Sequence, residues 1–384
     1  MAFKRSFLVS FALFLALASS FFAGFVTRDR FFRSADQLPV LQQAYQLLLD
    51  YGLKEAPPEK SLEYGMIRGM VQAYDDPYTV FIEPVQTELE SNTLHGSFGG
   101  IGVRLGTDEA GYILLYPYPG SPAAEAGILE GARLIAVDGE AVAAGTPFED
   151  VQAAIRGPVG KKVRLTIQNP SAAEEQEVSV QRSEIPIPSV TWHLDPDESQ
   201  VGVVEINTIA TSTPDEIQKA FTDLQGRGAT HFILDLRNNG GGMLIAGVDI
   251  ARLFLKDGIV IQQQYRDQEV KTYSVEKPGP LSDQPLAILV NQNTASAAEI
   301  VAGSLQARGR ARLIGSTTYG KNAIQSVYPL LDGSSLHVTT ASWWVPGSNL
   351  PKMGAGLQPD ISLSQESANS DEAVREAVRV LLQE

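Results

Sequence analysis

The sequence predicts an α/β fold whose core is built on a mostly parallel sheet, with an inserted β-rich module and an N-terminal helical segment before it. From residue 201 onward, apolar strands alternate with amphipathic helices, as in a parallel sheet covered by helices. Between residues 93 and 182, short strands are separated by turns that contain Gly and Pro. Two helical patterns, at residues 38–53 and 61–73, precede this module, and Pro57-Pro58 separates them.

Composition excludes several classes of function. The chain carries 45 acidic and 30 basic residues, a net charge of −15, and no Lys or Arg patch that could follow a nucleic-acid backbone. It contains no cysteine, which removes thiol nucleophiles, thiolate metal sites and disulfides. The four histidines show neither an H-E-x-x-H pair nor another zinc spacing. We therefore expect no nucleic-acid partner, no metal and no organic cofactor.

The first 33 residues predict a signal anchor or a signal peptide. An uncharged stretch at residues 6–26 lies between Lys4-Arg5 and Arg28, and as a helix it would be about 31 Å long, enough to cross a bilayer core. Ala16-Leu-Ala18 is typical of a cleavage site, but the apolar run continues to Val26, which favours an anchor. Both interpretations predict an extracytoplasmic protein, in the cell envelope or a periplasm-like space, that is membrane-anchored or secreted.

The predicted core alternates strands and helices along the chain. Strands are predicted at residues 201–206, 230–236, 285–290 and 311–314, and helices at residues 214–224, 246–254 and 295–308. The carboxyl ends of parallel strands meet at one edge of the sheet, so residues that directly follow these strands are candidates for a functional site. A hairpin at Asp332-Gly333 and a helix at residues 371–382, with Ser370 as its N-cap, close the chain.

Ser296 is the first of these candidates. It follows the apolar strand at residues 285–290 and begins the next helix, between Ala295 and Ala297. Its hydroxyl would lie beside the free N–H groups and the positive dipole end of the helix, which favour developing negative charge. Serine is also a preferred N-cap residue, so this position alone leaves a purely structural role open.

Lys321 is the best candidate for a base that could activate this serine. It follows Gly320 shortly after a predicted strand, 25 residues beyond Ser296, so a strand–helix–strand crossover returns both residues to the same sheet edge. No acidic residue lies between Glu299 and Asp332 in the sequence, and desolvation could lower the pKa of the amine toward neutrality. An exposed surface lysine is the alternative.

A second Ser/Lys pair has the S-x-x-K spacing, in Ser274-Val-Glu-Lys277. That spacing brings the two side chains together only on a helix, and here the segment runs directly into Pro278-Gly279-Pro280. We therefore interpret this match as chance.

A glycine-rich loop follows another predicted core strand. Asp235-Leu-Arg-Asn-Asn-Gly240-Gly-Gly242 places three glycines where backbone N–H groups could face a substrate oxygen without obstruction by side chains. Acyl transfer requires such donors to stabilise an oxyanion. A flexible turn is the alternative interpretation.

These motifs resemble those of the C-terminal processing peptidases, also called tail-specific proteases, which are Ser/Lys-dyad serine proteases with a PDZ domain. The similarity runs from Asp76-Pro-Tyr-Thr-Val-Phe81 to Gly356-Leu-Gln-Pro-Asp360-Ile and is strongest between residues 296 and 325. The resemblance implies a site composed of the nucleophile Ser296, the general base Lys321, the lysine-orienting residue Gln325, and an oxyanion hole formed by the backbone N–H groups of Gly241, Gly242 and Ala297.

The β-rich module resembles a PDZ domain. Ser97-Phe-Gly-Gly-Ile-Gly102 matches the loop that binds a chain terminus in such domains. The resemblance implies that the substrate-binding residues are Gly99, Gly100, Ile101 and Gly102. Two residues depart from the family pattern: Ala132 stands where Asp is usual, and Gly240 stands where Pro is usual.

The resemblance implies a serine endopeptidase that cuts proteins near their C-termini through an acyl-enzyme, with the substrate tail bound by the PDZ domain. Its partners would be proteins with accessible C-terminal tails and, through the N-terminal segment, the membrane; self-association into a homo-oligomer is left open. The alternative is a catalytically silent PDZ scaffold or an envelope binding protein.

The predicted domains are a signal anchor or signal peptide at 1–33, a helical segment at 34–92, the PDZ domain at 93–182, the protease core at 183–365 and a C-terminal helix at 366–384.

Overall fold

The computed structural model describes residues 38–170, 172, 174–347 and 355–383. The predicted signal anchor or signal peptide at residues 1–33 lies outside these described residues. None of the helices within them is long and apolar enough to cross a membrane. The described residues divide into two compact units, one that ends at Tyr74 and one that begins at Asp75.

The first unit contains both predicted N-terminal helices, α1 (Pro39–Tyr51) and α2 (Glu59–Tyr74). Proline at the start of α1 has the backbone angle that a first helical turn needs, and its missing N–H would have had no helical partner. No residue of α1 is buried, while α2 buries Tyr64.

The second unit begins with a short strand and a helix. β1 (Val80–Ile82) lies at the edge of a core sheet, and α3 (Pro84–His95) ends at Gly96, whose φ of 78° suits glycine. The end of α3 is held by two backbone hydrogen bonds: Thr211 N–H donates to the Leu94 carbonyl, and Ile187 N–H donates to the Gly96 carbonyl.

The β-rich module follows α3. Its elements are β2 (Ser97–Gly100), β3 (Val103–Thr107), β4 (Ile113–Pro117), α4 (Pro122–Glu125), β5 (Ala132–Val137), β6 (Glu140–Ala141), α5 (Phe148–Ile155), β7 (Lys162–Gln168), β8 (Gln176–Gln181) and β9 (Ser183–Pro186). The strands form an antiparallel sheet in the order β3-β4-β5-β7-β8 around buried apolar residues such as Leu115, Leu134 and Leu165. β2 leads into the module and β9 leads out of it, and these two strands pair with each other.

The core contains the remaining elements. They are β10 (Val190–Leu194), β11 (Val201–Ile206), α6 (Thr213–Gly226), β12 (His231–Asp235), α7 (Leu244–Phe254), β13 (Ile259–Tyr265), β14 (Lys271–Ser274), β15 (Leu286–Val290), α8 (Ala297–Ala307), β16 (Arg312–Gly315), β17 (Ala323–Pro329), β18 (Ser335–Trp344), β19 (Ile361–Ser362), α9 (Gln365–Ala368) and α10 (Asp371–Leu381). Ser370 caps α10, as predicted, by accepting a hydrogen bond from Glu372 N–H.

These core strands form two sheets of different type. The first has the order β10-β11-β12-β15-β16-β19, in which the β10 pairing is antiparallel and the others are parallel. The second has the order β1-β18-β13-β14, with β17 also on β18, and is antiparallel throughout. The prediction of a mostly parallel core is therefore corrected to a mixed core. Hairpins connect antiparallel neighbours with short turns, so β13–β14 and β17–β18 lack the crossover helices that mark parallel strands.

Helices cover both faces of the first sheet. On one face, the Phe221 ring of α6 stacks on Phe232 with ring centroids 4.3 Å apart and meets Phe254 edge-on at 5.4 Å. On the other face, α10 buries Ala373 and Ala377 against the sheet. Burial on both sides explains the continuous apolar runs of β12 and β15.

Candidate active site

Ser296 lies at the sharp turn between β15 and α8. Its backbone angles, φ 55° and ψ −120°, are unusual for a residue with a side chain and indicate local strain. A serine held in a strained strand-to-helix turn is the geometry of a nucleophile elbow, reached here without the G-x-S-x-G motif. The half-buried side chain of Ser296 lies between the buried residues Ala295 and Ala297.

Glu299 holds this turn in place. The carboxylate is completely buried, and its Oε2 accepts hydrogen bonds from the backbone N–H groups of Ser296 and Lys321, both at 2.9 Å. Its Oε1 accepts from Gly320 N–H at 2.7 Å and from the Thr318 hydroxyl at 2.5 Å. One carboxylate therefore ties the serine turn to the loop that carries the lysine.

This role of Glu299 was not predicted, although the S-x-x-E spacing of Ser296 and Glu299 is typical of a capping box. Burial raises the pKa of the Glu299 carboxyl above its usual value, and the four donated hydrogen bonds oppose that rise. Because all four partners donate, the ionised carboxylate is the form that matches them.

Lys321 is partly buried at the other side of the site. Its Nζ donates to Gln325 Oε1 at 2.5 Å, and Gln325 Nε2 donates in turn to the backbone carbonyl of Tyr78. Burial lowers the pKa of the lysine, while the charges of Glu90 and Asp76 oppose this shift. The sequence around Lys321 is poor in acidic residues, but the fold brings these two carboxylates near it.

A single cavity of about 350 Å³ brings most of the predicted residues together. Ser296, Ala297, Lys321, Gln325 and Gly242 line it, together with Gly240. Much of the remaining wall is apolar: Leu94, Met243, Leu244, Ile245, Ile300, Ala323, Ile324, Val327 and Trp343. The cavity can therefore accept a peptide segment beside a hydroxyl group, an amine of lowered pKa and backbone N–H donors.

The residues of the glycine loop differ in whether their backbone N–H groups are free to bind an oxyanion. Gly241 N–H donates to Asn239 Oδ1 at 2.8 Å, so this predicted oxyanion donor has a partner inside the loop. In the described part of the chain, the N–H groups of Gly242 and Ala297 have no such partner. Gly241 allows the loop to lie close to the serine turn, because a Cβ at this position would lie only 2.9 Å from the backbone nitrogen of Ala297.

Gly240 and Gly241 make a matched pair for testing this loop. Gly241→Ala is expected to lower kcat/KM by about 100-fold, because the methyl group would displace the loop from the serine turn. Gly240→Ala meets no protein atom within 4 Å and is expected to raise the free energy of unfolding by about 0.5 kcal/mol, with a much smaller loss of activity than Gly241→Ala. Steady-state kinetics and urea denaturation of both variants check this, and equal effects of the two substitutions would contradict it.

The predicted terminus-binding loop lines a second cavity, of about 510 Å³, in the β-rich module. Gly100, Ile101 and Gly102 lie on its wall; Gly99 does not, and instead packs on Gly157, whose N–H donates to the Gly99 carbonyl. Among the described residues, the N–H groups of Ile101 and Gly102 have no partner, and adjacent free N–H groups form an anion-binding nest. Apolar residues form most of the groove: Phe98, Val103, Leu105, Ile155, Ile185 and Pro186.

The fold and these two sites define a serine-type hydrolase core joined to a PDZ domain. The family model for peptidase family S41 matches residues 200–363, and the model for the PDZ domain matches residues 114–169. The carboxyl-terminal-processing protease of Picosynechococcus sp. is 36% identical over 328 residues, which is 84% of this chain and 78% of that protein. The chain therefore belongs to the carboxyl-terminal processing proteases of peptidase family S41, as the sequence motifs predicted.

Two further relatives are similar over most of the chain. Carboxy-terminal processing protease CtpA of Bacillus subtilis is 32% identical over 304 residues, covering 79% of this chain and 64% of that protein. The solved structure of a photosystem II D1 C-terminal processing protease is 32% identical, covers 88% of this chain and 90% of that one, and superposes with a TM-score of 0.47. The prediction of a serine protease with a PDZ domain is confirmed by this family membership.

Proposed function

We propose that this chain is an endopeptidase that cuts protein substrates near their C-termini, with Ser296 as nucleophile, Lys321 as general base and Gln325 as the residue that orients the lysine. The observation that supports this most directly is the shared Glu299 carboxylate. It holds the backbone of the strained serine turn and the backbone of the lysine loop at the same cavity.

The chemistry follows from these groups. Neutral Lys321 Nζ takes the proton from Ser296 Oγ as that oxygen attacks the scissile carbonyl carbon. The negative charge that forms on the carbonyl oxygen is stabilised by the N–H groups of Ala297 and Gly242. When the C–N bond breaks, the Lys321 ammonium gives its proton to the leaving amine, and a serine ester remains. Water, deprotonated by Lys321, then hydrolyses the ester and restores the serine hydroxyl.

The surroundings of Lys321 suit a base. Burial favours the uncharged amine, and Gln325 Oε1 accepts one N–H hydrogen, which fixes the rotation of the amine about its last bond. The lone pair can then face the cavity that Ser296 also lines. The pH profile of kcat/KM should therefore rise with pH as Lys321 loses its proton.

We propose that the PDZ groove binds the tail of the substrate. The terminal carboxylate would accept hydrogen bonds from the N–H groups of Ile101 and Gly102, and the peptide would add as a strand beside β3. The apolar lining of the groove favours tails that end in an apolar side chain. The substrate class is therefore proteins with an exposed, unstructured C-terminal tail.

We propose that the domain boundaries follow the sequence: the PDZ domain at residues 93–182, the protease core at 183–365 and the C-terminal helix at 366–384. The extracytoplasmic location, with membrane attachment through residues 1–33, remains a prediction of the N-terminal sequence. Self-association into a homo-oligomer also stays a proposal.

An unstructured substrate protein with an apolar C-terminal residue tests the function. Replacing its last two residues with Asp-Asp, or amidating its carboxylate, is expected to lower kcat/KM by about 10- to 100-fold, because the groove loses an apolar contact or a charged acceptor. Intact mass spectrometry should locate the cuts close to the C-terminus. Ser296→Ala is the inactive control. Equal rates for all tails, or cuts spread evenly along the substrate, would contradict the proposal.

A further inference from the structure

We propose that Tyr78 is a positioning residue for the catalytic lysine: its backbone carbonyl sets the orientation of the Gln325 amide, and its ring shields Lys321 from water. The inference rests on the proposed roles of Lys321 and Gln325. Tyr78 precedes the PDZ module in the chain and lies outside residues 200–363, which match the peptidase family model. The fold nevertheless brings it to the lysine.

The first part of the role is the orientation of the amide. A backbone carbonyl can only accept a hydrogen bond, so the nitrogen of the Gln325 amide must face Tyr78. The oxygen of the amide is then turned toward Lys321 Nζ. The opposite orientation would place the NH₂ group against the donors of the lysine. One carbonyl therefore determines whether Gln325 accepts from the base or repels it.

The second part of the role is the cover that the ring provides. Lys321 Nζ lies 5.2 Å from the centroid of the half-buried Tyr78 ring. Burial raises the pKa of the Tyr78 phenol, so its hydroxyl is neutral when Lys321 acts. The ring excludes water from the amine, which favours the uncharged form of the lysine. The ring face also attracts the ammonium, but burial outweighs this attraction, because the pKa of Lys321 is lowered.

Other charged groups face Lys321 from several elements. Glu90 of α3 and Asp76 favour the ammonium form, and Glu299 of α8 accepts from the backbone N–H of the lysine. His337 of β18 lines the same cavity and lies 3.9 Å from Glu90. With two carboxylates favouring the proton, exclusion of water is the effect that lowers the pKa of Lys321, and the Tyr78 ring beside the amine is placed to contribute to it.

A tight turn holds Tyr78 where these contacts need it. Asp76 accepts hydrogen bonds from the Tyr78 N–H at 3.3 Å and from the Thr79 hydroxyl at 2.5 Å. Thr79 is buried and accepts a hydrogen bond from Thr339 N–H of β18. β1 follows directly and pairs with β18, with Val80 opposite His337. The backbone carbonyl of Tyr78 is thus fixed independently of its side chain.

The pH profile of kcat/KM tests this role. Tyr78→Ala keeps the carbonyl but removes the ring, so water reaches Lys321 and its pKa rises. The acid limb of the profile is expected to move up by about one pH unit, with an activity loss of about tenfold at pH 7 that is largely recovered at pH 10. Tyr78→Phe keeps both ring and carbonyl and should retain the wild-type profile. Tyr328→Ala, at an exposed tyrosine of β17, is the matched control and should also leave it unchanged.

Two results would overturn the inference: an unmoved acid limb in Tyr78→Ala, or a loss of activity that is equal at every pH. If Tyr78→Ala does not fold, as judged by urea denaturation, Tyr78→Gln is expected to give the same upward shift, because its amide brings polar groups to the amine. Failure of the proposed function looks different, since wild type and Ser296→Ala would then cleave substrate equally.

Discussion

Replacement of Lys321 by methionine is expected to abolish peptide cleavage while it raises the stability of the fold. Without the amine no group takes the proton from Ser296 Oγ, so kcat/KM should fall by at least about 1,000-fold. The free energy of unfolding should rise by up to about 1 kcal/mol, because methionine fills the partly buried position without a charge to desolvate. The unsatisfied Gln325 oxygen offsets part of this gain.

The stability gain of Lys321→Met depends on pH because the pKa of Lys321 is lowered in the folded protein. Below its folded-state pKa the lysine is protonated in both the folded and the unfolded protein, and the cost of burying the charge is fully present. This cost declines as pH rises through the folded-state pKa and disappears above 10.5, the usual value. The stability gain of Lys321→Met should therefore be largest near neutral pH and absent above pH 10.5.

Urea denaturation at pH 7 and at high pH, together with cleavage assays, measures both effects. Ser296→Ala is the matched control. It should lose activity to the same extent, but the difference in its free energy of unfolding from the wild type should not change with pH. Wild-type cleavage by Lys321→Met would refute the assigned base. A stability gain that grows with pH would refute the burial argument.

Glu299→Gln is expected to damage both stability and activity, although it is nearly isosteric. The carboxylate accepts four hydrogen bonds, two at each oxygen, so an amide in either orientation would turn its NH₂ hydrogens toward two of those donors. We expect a loss of about 2–4 kcal/mol in the free energy of unfolding. The activity should fall by at least about 100-fold, because the serine turn and the lysine loop lose their shared anchor.

The control for this substitution is Glu366→Gln, which makes the same chemical change at an exposed residue of α9. It should leave stability and kcat/KM unchanged. A Glu299→Gln protein that folds and cleaves like the wild type would show that the four hydrogen bonds do not position the site.

The sequence was sufficient to place Ser296 and Lys321 at one sheet edge, because β15, α8 and β16 form a regular crossover with clear apolar runs. Of the second sheet it revealed only the β17–β18 hairpin, through the turn at Asp332-Gly333, and not the strands that pair with it. β13 carries three consecutive glutamines, Gln262 to Gln264, and this polar stretch hides the alternation expected of a strand.

The supporting residues of the site were harder to predict for a different reason. Glu299 reaches Lys321 across 22 residues, and Gln325 reaches Tyr78 across 247. Contacts between residues so far apart in the chain leave no short sequence pattern from which they could be predicted. The capping-box spacing could have indicated half of the role of Glu299, and the segment around Tyr78 entered only through the family resemblance.

The two-stranded ribbon of β2 and β9 determines how the two cavities are connected along the chain. Gly100 of β2 and Ile185 of β9 form part of the groove wall, so the strands that connect the PDZ module to the core are also strands that a bound tail would touch. α3 lines the catalytic cavity with Glu90 and Leu94 and then runs directly into β2. One continuous segment of backbone, from α3 through Gly96 into β2, therefore contributes residues to both cavities.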